Sequence, residues 1–102
     1  MDKKQAPESV VEYARFIRQT TPNVRGIYLF GSYAKGTHNK NSDIDLAVIF
    51  DILHDSFDMQ VDLMKKRRQF DTRIEPHPFA SADFNSSHPL AKEIIRHGLE
   101  II

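Results

Sequence analysis

The sequence predicts an α/β domain built on a small sheet, on three observations. Apolar residues recur at helical spacing in three otherwise polar segments. Between them lie short runs rich in β-branched and aromatic residues, and the two kinds of segment alternate along the chain.

The first helix is expected to start at Pro7, Glu8 and Ser9, where proline suits a first turn and an early acid complements the helix dipole. Val10, Ala14 and Ile17 follow at helical spacing, and Thr21-Pro22 closes the helix because the residue before proline avoids the α region. Residues 24–30 read as a strand ended by Gly31, and a polar loop over residues 37–42 leads to a second strand at 44–50. That second run is almost continuously apolar, the mark of a strand buried on both faces. Asp55 or Ser56 is placed to cap the next helix, and Phe57, Val61 and Met64 at i, i+4 and i+7 carry it to about Gln69. Its closing Lys65-Lys66-Arg67-Arg68 run suits the negative end of the dipole and reads first as a solvated helix end. Residues 70–79 read as a third strand, stopped by Pro76 and Pro78. Leu90, Ile94 and Ile95 mark a last helix, Gly98 is placed to end it, and the Leu99, Ile101, Ile102 tail is expected to fold back on the body.

A chain of 102 residues is expected to form one domain, 1–102, and a core of that size gains from a partner or a second copy. Fourteen basic residues balance fourteen acidic ones, so the electrostatic excess typical of duplex binders is missing and nucleic acid is not the expected partner. With no cysteine, disulfides, thiolate catalysis and cysteine-ligated zinc are excluded. Residues 1–5 contain no apolar leader core, and the longest apolar run is too short to span a bilayer, so a cytoplasmic protein is expected.

The chemistry concentrates in residues 31–50. Asp43 and Asp45 stand two apart at the start of the second strand, which turns both carboxylates to one face while Ile44 and Leu46 take the other. Such a pair repels itself unless it sits in water or shares a hard divalent cation, and magnesium prefers carboxylate oxygens and phosphates. Gly31-Ser32 follows a strand directly and precedes a short helical turn, where glycine admits a phosphate to the backbone and the serine hydroxyl can bind it. The loop lacks the Gly-x-x-x-x-Gly-Lys-Ser/Thr pattern, and Gly-x-Ser-x-Gly fails at Phe30.

Taken together, Gly31-Ser32-Tyr33-Ala34-Lys35-Gly36, the polar loop, and Ser42-Asp43-Ile44-Asp45-Leu46 resemble the signature of the minimal nucleotidyltransferase branch of the DNA polymerase beta-like nucleotidyltransferase superfamily. The resemblance implies a small mixed sheet flanked by helices. It also implies magnesium-dependent transfer of a nucleoside monophosphate, most naturally AMP from ATP. Gly31 and Ser32 would hold the triphosphate, while Asp43 and Asp45 would bind two magnesium ions. A third carboxylate is expected on the neighbouring strand; Ile74-Glu75 fits that place and Asp71 is the rival. Lys35 either reaches the phosphates or is solvated, and His77, on the parity of Glu75, either helps bind a ligand or is structural. The same resemblance implies a separately encoded helical partner of the HEPN type, with this chain as antitoxin. The alternative is a catalytically silent binding module of the same fold.

Overall fold

The computed structural model describes residues 6–102; the polar segment 1–5, read above as lacking a leader core, lies outside them. Helix α1 (Glu8–Thr20) leads into strand β1 (Val24–Phe30), the short helix α2 (Ser32–Lys35) and strand β2 (Ile44–Phe50). Helix α3 (Ser56–Lys66) runs on through a 3-10 turn to strand β3 (Ile74–Ala80), and helix α4 (Pro89–His97) is followed by strand β4 (Leu99–Glu100). The four strands form one mixed sheet in the order β3-β2-β1-β4, with β2 and β3 parallel and the other neighbours antiparallel.

Strand alternation divides the core. Ile27, Leu29, Ile44, Leu46, Val48 and Phe50 point to one face, where Val10, Tyr13, Ala14 and Ile17 of α1 and Leu63 of α3 cover them. Phe30, Ala47, Ile49 and Phe79 point to the other, under Ala91 and Ile94 of α4. Both faces of β2 are thus covered, as its apolar run required. The Tyr13 hydroxyl donates to the Leu63 carbonyl at 2.7 Å and ties α1 to α3.

Three expectations need correction. The third strand does not stop at its prolines: it starts at Ile74 and runs through Pro76 and Pro78 to Ala80. The Ile44 N–H donates to the Arg73 carbonyl, and the Ile74 carbonyl accepts from Arg67 on the other side. Odd-numbered residues therefore face β2, and both proline nitrogens face the free edge, where no ladder donor is needed. On α3, capped by Asp55, the spacing rightly predicts a helix but Phe57 and Val61 lie on its exposed side. Leu63 is fully buried instead, because β3 ends the sheet and only a narrow stripe of α3 meets it. Finally, α4 buries Ala91 and Ile94 and leaves Leu90 and Ile95 exposed. Gly98 does end α4, though not through a left-handed turn: its φ is −75°, and a Cβ there would lie 2.5 Å from the Ile94 carbonyl oxygen. The tail folds back as expected, with Ile101 N–H donating to the Ile27 carbonyl and Ile27 N–H donating to that of Ile102.

The corrected face gives a direct stability test. Leu63→Ala is expected to cost about 2–5 kcal/mol in urea unfolding, whereas Phe57→Ser moves stability by less than about 0.5 kcal/mol. Equal losses for the two would put the wrong side of α3 against the sheet.

Candidate active site

The site forms where β1 ends and β2 and β3 begin. Asp45 pairs in register with Glu75 on β3 and with Phe30 on β1, so all three side chains emerge on the α4 side of the sheet. Asp43 is one residue ahead of β2, exposed at the mouth of the sheet and close enough to Glu75 to act on its carboxyl. The structure thus brings Asp45 and Glu75 side by side, with Asp43 next to them at the strand entrance. Burial pushes the Glu75 carboxyl above its ordinary value, and the Asp43 contact and Asp45 charge push it the same way.

Gly31 makes the crowding possible. Its φ of 74° and ψ of −149° belong to a region essentially reserved for glycine. A Cβ at this position would lie 2.6 Å from Asp45 Oδ2, so the backbone of the loop rests directly against the carboxylate. Helix α2 starts at Ser32 and closes with left-handed Gly36. Four residues make too small a dipole to matter, so what the turn offers an anion is the Ser32 hydroxyl and its backbone N–H groups. The Lys35 amine lies 3.7 Å from Glu93 Oε2 of α4.

Asp71 is not part of this cluster. It precedes β3 and accepts from Ser9 Oγ on α1 at 2.9 Å and from Arg73 Nε and a second guanidinium nitrogen at 3.0 and 2.8 Å. The Arg73 guanidinium, above all, pulls its carboxyl down from the usual 3.8 to about 2. A carboxylate depressed on folding stabilises the fold above its unfolded pKa, and that contribution disappears as pH falls through the folded value. Wild type is thus expected to lose stability between about pH 4 and pH 2, and Asp71→Asn to lower the melting temperature at neutral pH and flatten that acid limb. Parallel melting-temperature curves for the two proteins would contradict this role. Arg73 also donates to the Tyr33 hydroxyl at 3.0 Å, and the Tyr33 ring stacks on His38 at 3.9 Å, which braces the loop after Ser32. Of the basic run at the end of α3, Lys66 binds Asp62 and Thr21, and Arg67 binds the Ile74 carbonyl, so two of the four are structural.

His77 joins the cluster more closely than its sequence position suggests. Its Nε2 lies 3.3 Å from Asp45 Oδ1, and Asp45, Glu75 and His77 each place a donor atom within 4.8 Å of the other two. Asp45 and Glu75 offer hard carboxylate oxygens side by side, with Asp43 next to Glu75, an arrangement that fits a divalent cation. Parity alone pointed toward His77; the contact itself depends on the parallel register of β2 and β3.

The family described as "Polymerase beta, Nucleotidyltransferase" matches residues 13–102. The chain belongs to this nucleotidyltransferase family. It is similar to the protein adenylyltransferase MntA of Shewanella oneidensis, at 51% identity over 35 residues, which are 34% of this chain and 25% of that protein. A relative from Methanocaldococcus jannaschii is 42% identical over 43 residues, 42% of this chain and 40% of that protein. The match thus spans well under half the length of either relative. Among solved structures, a chain of a toxin–antitoxin complex with AMP-PNP superposes with a TM-score of 0.60 at 23% identity, covering 92% of this chain and 70% of that chain. A chain of the complex between a tri-AMPylated HEPN toxin and MNT antitoxin of Shewanella oneidensis gives 0.58 at 21% identity, covering 92% and 71%. These likenesses bear out the mixed sheet flanked by helices that the motif implied. Among the described residues, no helix is long and apolar enough to cross a membrane.

Proposed function

We propose that this chain transfers a nucleoside monophosphate, AMP from ATP, to a hydroxyl of a partner protein, with a helical HEPN-type protein as acceptor and this chain as the antitoxin of the pair. The observation that carries the reading is the in-register pairing of Asp45 with Glu75, beside Asp43 and next to a glycine whose missing side chain makes room for the carboxylate. Gly31 leaves room for the Asp45 carboxylate against the turn at the end of β1, Ser32 donates its hydroxyl to a phosphate there, and Lys35, one turn on, exchanges its Glu93 partner for that phosphate. Asp43, Asp45 and Glu75 hold the cations, two magnesium ions in this reading. Bound magnesium supplies charge stabilisation at the transferred phosphorus. The acceptor oxygen forms its bond to the α-phosphorus as the bond to pyrophosphate breaks; pyrophosphate leaves, and the acceptor proton passes to Glu75 on the β3 side. The names of the relatives and the fold shared with the solved neighbours support this reading.

A second reading, a silent binding module, draws on one contact: His77 Nε2 lies 3.3 Å from Asp45 Oδ1 and fills space beside the carboxylate that a cation would take. Incubation with α-labelled ATP, magnesium and a purified HEPN-type protein separates the two. Transfer of label that Asp43→Asn removes supports the enzyme. Tight partner binding without transfer by wild type supports the module. Full activity of Glu75→Gln would remove the third carboxylate from the mechanism.

A further inference from the structure

We infer that His77 is a nitrogen ligand of the cation site, so that the site binds a first-row transition-metal ion such as Mn2+ or Co2+ more tightly than its carboxylates alone would, while still accepting Mg2+. This rests on the reading of the carboxylate cluster as a cation site, and adds to it a ligand that sets which cation is held. Four features of this chain carry it. Glu75 and His77 alternate to the same face of β3, and β3 runs parallel to β2, so Asp45 and Glu75 stand side by side with His77 one step further along. The residue opposite His77 is Ala47, whose small side chain leaves the imidazole free to lean back over Asp45. The Phe30 ring meets the imidazole edge-on at 5.1 Å and limits how it can turn. As a result Nε2 reaches 3.3 Å from Asp45 Oδ1, and the three residues place donors within 4.8 Å of one another.

Two carboxylate oxygens and one imidazole nitrogen are a different ligand set from oxygen alone. Magnesium accepts carboxylates, phosphates and water and gains little from imidazole, whereas Mn2+, Co2+ and Zn2+ accept oxygen and nitrogen together and bind more tightly along that series. His77 therefore raises the affinity for those ions more than for magnesium. It is exposed enough for a bound ion to retain contact with water and substrate, with 29% of its side chain accessible.

The test loads the purified chain with Mn2+, with and without AMP-PNP, and records pulsed EPR for nitrogen coupled to the metal. Wild type is expected to show histidine nitrogen coupling that disappears in His77→Gln, a variant that keeps a polar side chain near Asp45. By calorimetry, Co2+ affinity is expected to fall about tenfold or more in His77→Gln while Mg2+ affinity moves less than about threefold. Mn2+ that binds wild type and is lost in Asp45→Asn, but shows no nitrogen coupling, would overturn the role of His77 and leave the carboxylate site standing. Coupling that persists in His77→Gln would also overturn it, by assigning the nitrogen to another histidine. Absence of Mn2+ binding by wild type under both conditions would overturn this inference and the cation-site reading together.

Discussion

Gly31→Ala is expected to be the most damaging single substitution for stability near the site, costing about 2–4 kcal/mol. Two independent penalties combine. A residue with a Cβ resists the backbone angles of φ 74° and ψ −149°, and its Cβ would lie 2.6 Å from Asp45 Oδ2. To make room, the Asp45 carboxylate would have to turn away from the loop and give up its contact to His77. A domain this small holds a margin of roughly 5–15 kcal/mol, so the loss is a large share of it. Urea unfolding measures the effect, and nucleotide binding should be lost as well, since the loop cannot keep its approach to the carboxylate. An alanine variant as stable as wild type would mean that Gly31 is not pressed against Asp45.

Asp45→Asn should behave in the opposite way, removing activity while sparing the fold. On the proposed reading it deletes a cation ligand, and transfer of label from α-labelled ATP is expected to fall about thousandfold or more. Stability has little reason to fall. The substitution removes one negative charge from a site shared with Asp43 and Glu75, which relieves repulsion, and it weakens only a partly exposed contact to His77. The two effects offset each other, so unfolding free energy should change by less than about 1 kcal/mol. Substantial activity in a folded Asp45→Asn protein would detach Asp45 from the chemistry.

The two central strands were legible because each is a short apolar run with a clear stop, and β2 needs cover on both faces wherever it sits. Gly31, Ser32, Asp43 and Asp45 were legible for a related reason: a strand, a tight turn and an alternating pair are local features. What depended on distant neighbours was not. Helical spacing on α3 shows that a helix forms, but which side is buried depends on where the sheet ends, and so Leu63 rather than Phe57 is buried. The rule that proline stops a strand assumes donors on both edges, and β3 has a partner on only one. His77 lies 32 residues from Asp45, and no local pattern reveals that the parallel register will bring them together. Lys35 likewise faces Glu93 across the gap to α4, a pairing that a reading of the loop alone does not contain.

The central claim is that the glycine–serine loop and the carboxylate cluster act as one cation-dependent nucleotide site. Calorimetric titration of the purified chain with AMP-PNP tests it most directly, run in magnesium, in EDTA, and in magnesium with Asp45→Asn. The expected result is binding by wild type in magnesium that weakens about tenfold or more under the other two conditions. Equal affinity under all three would contradict the claim.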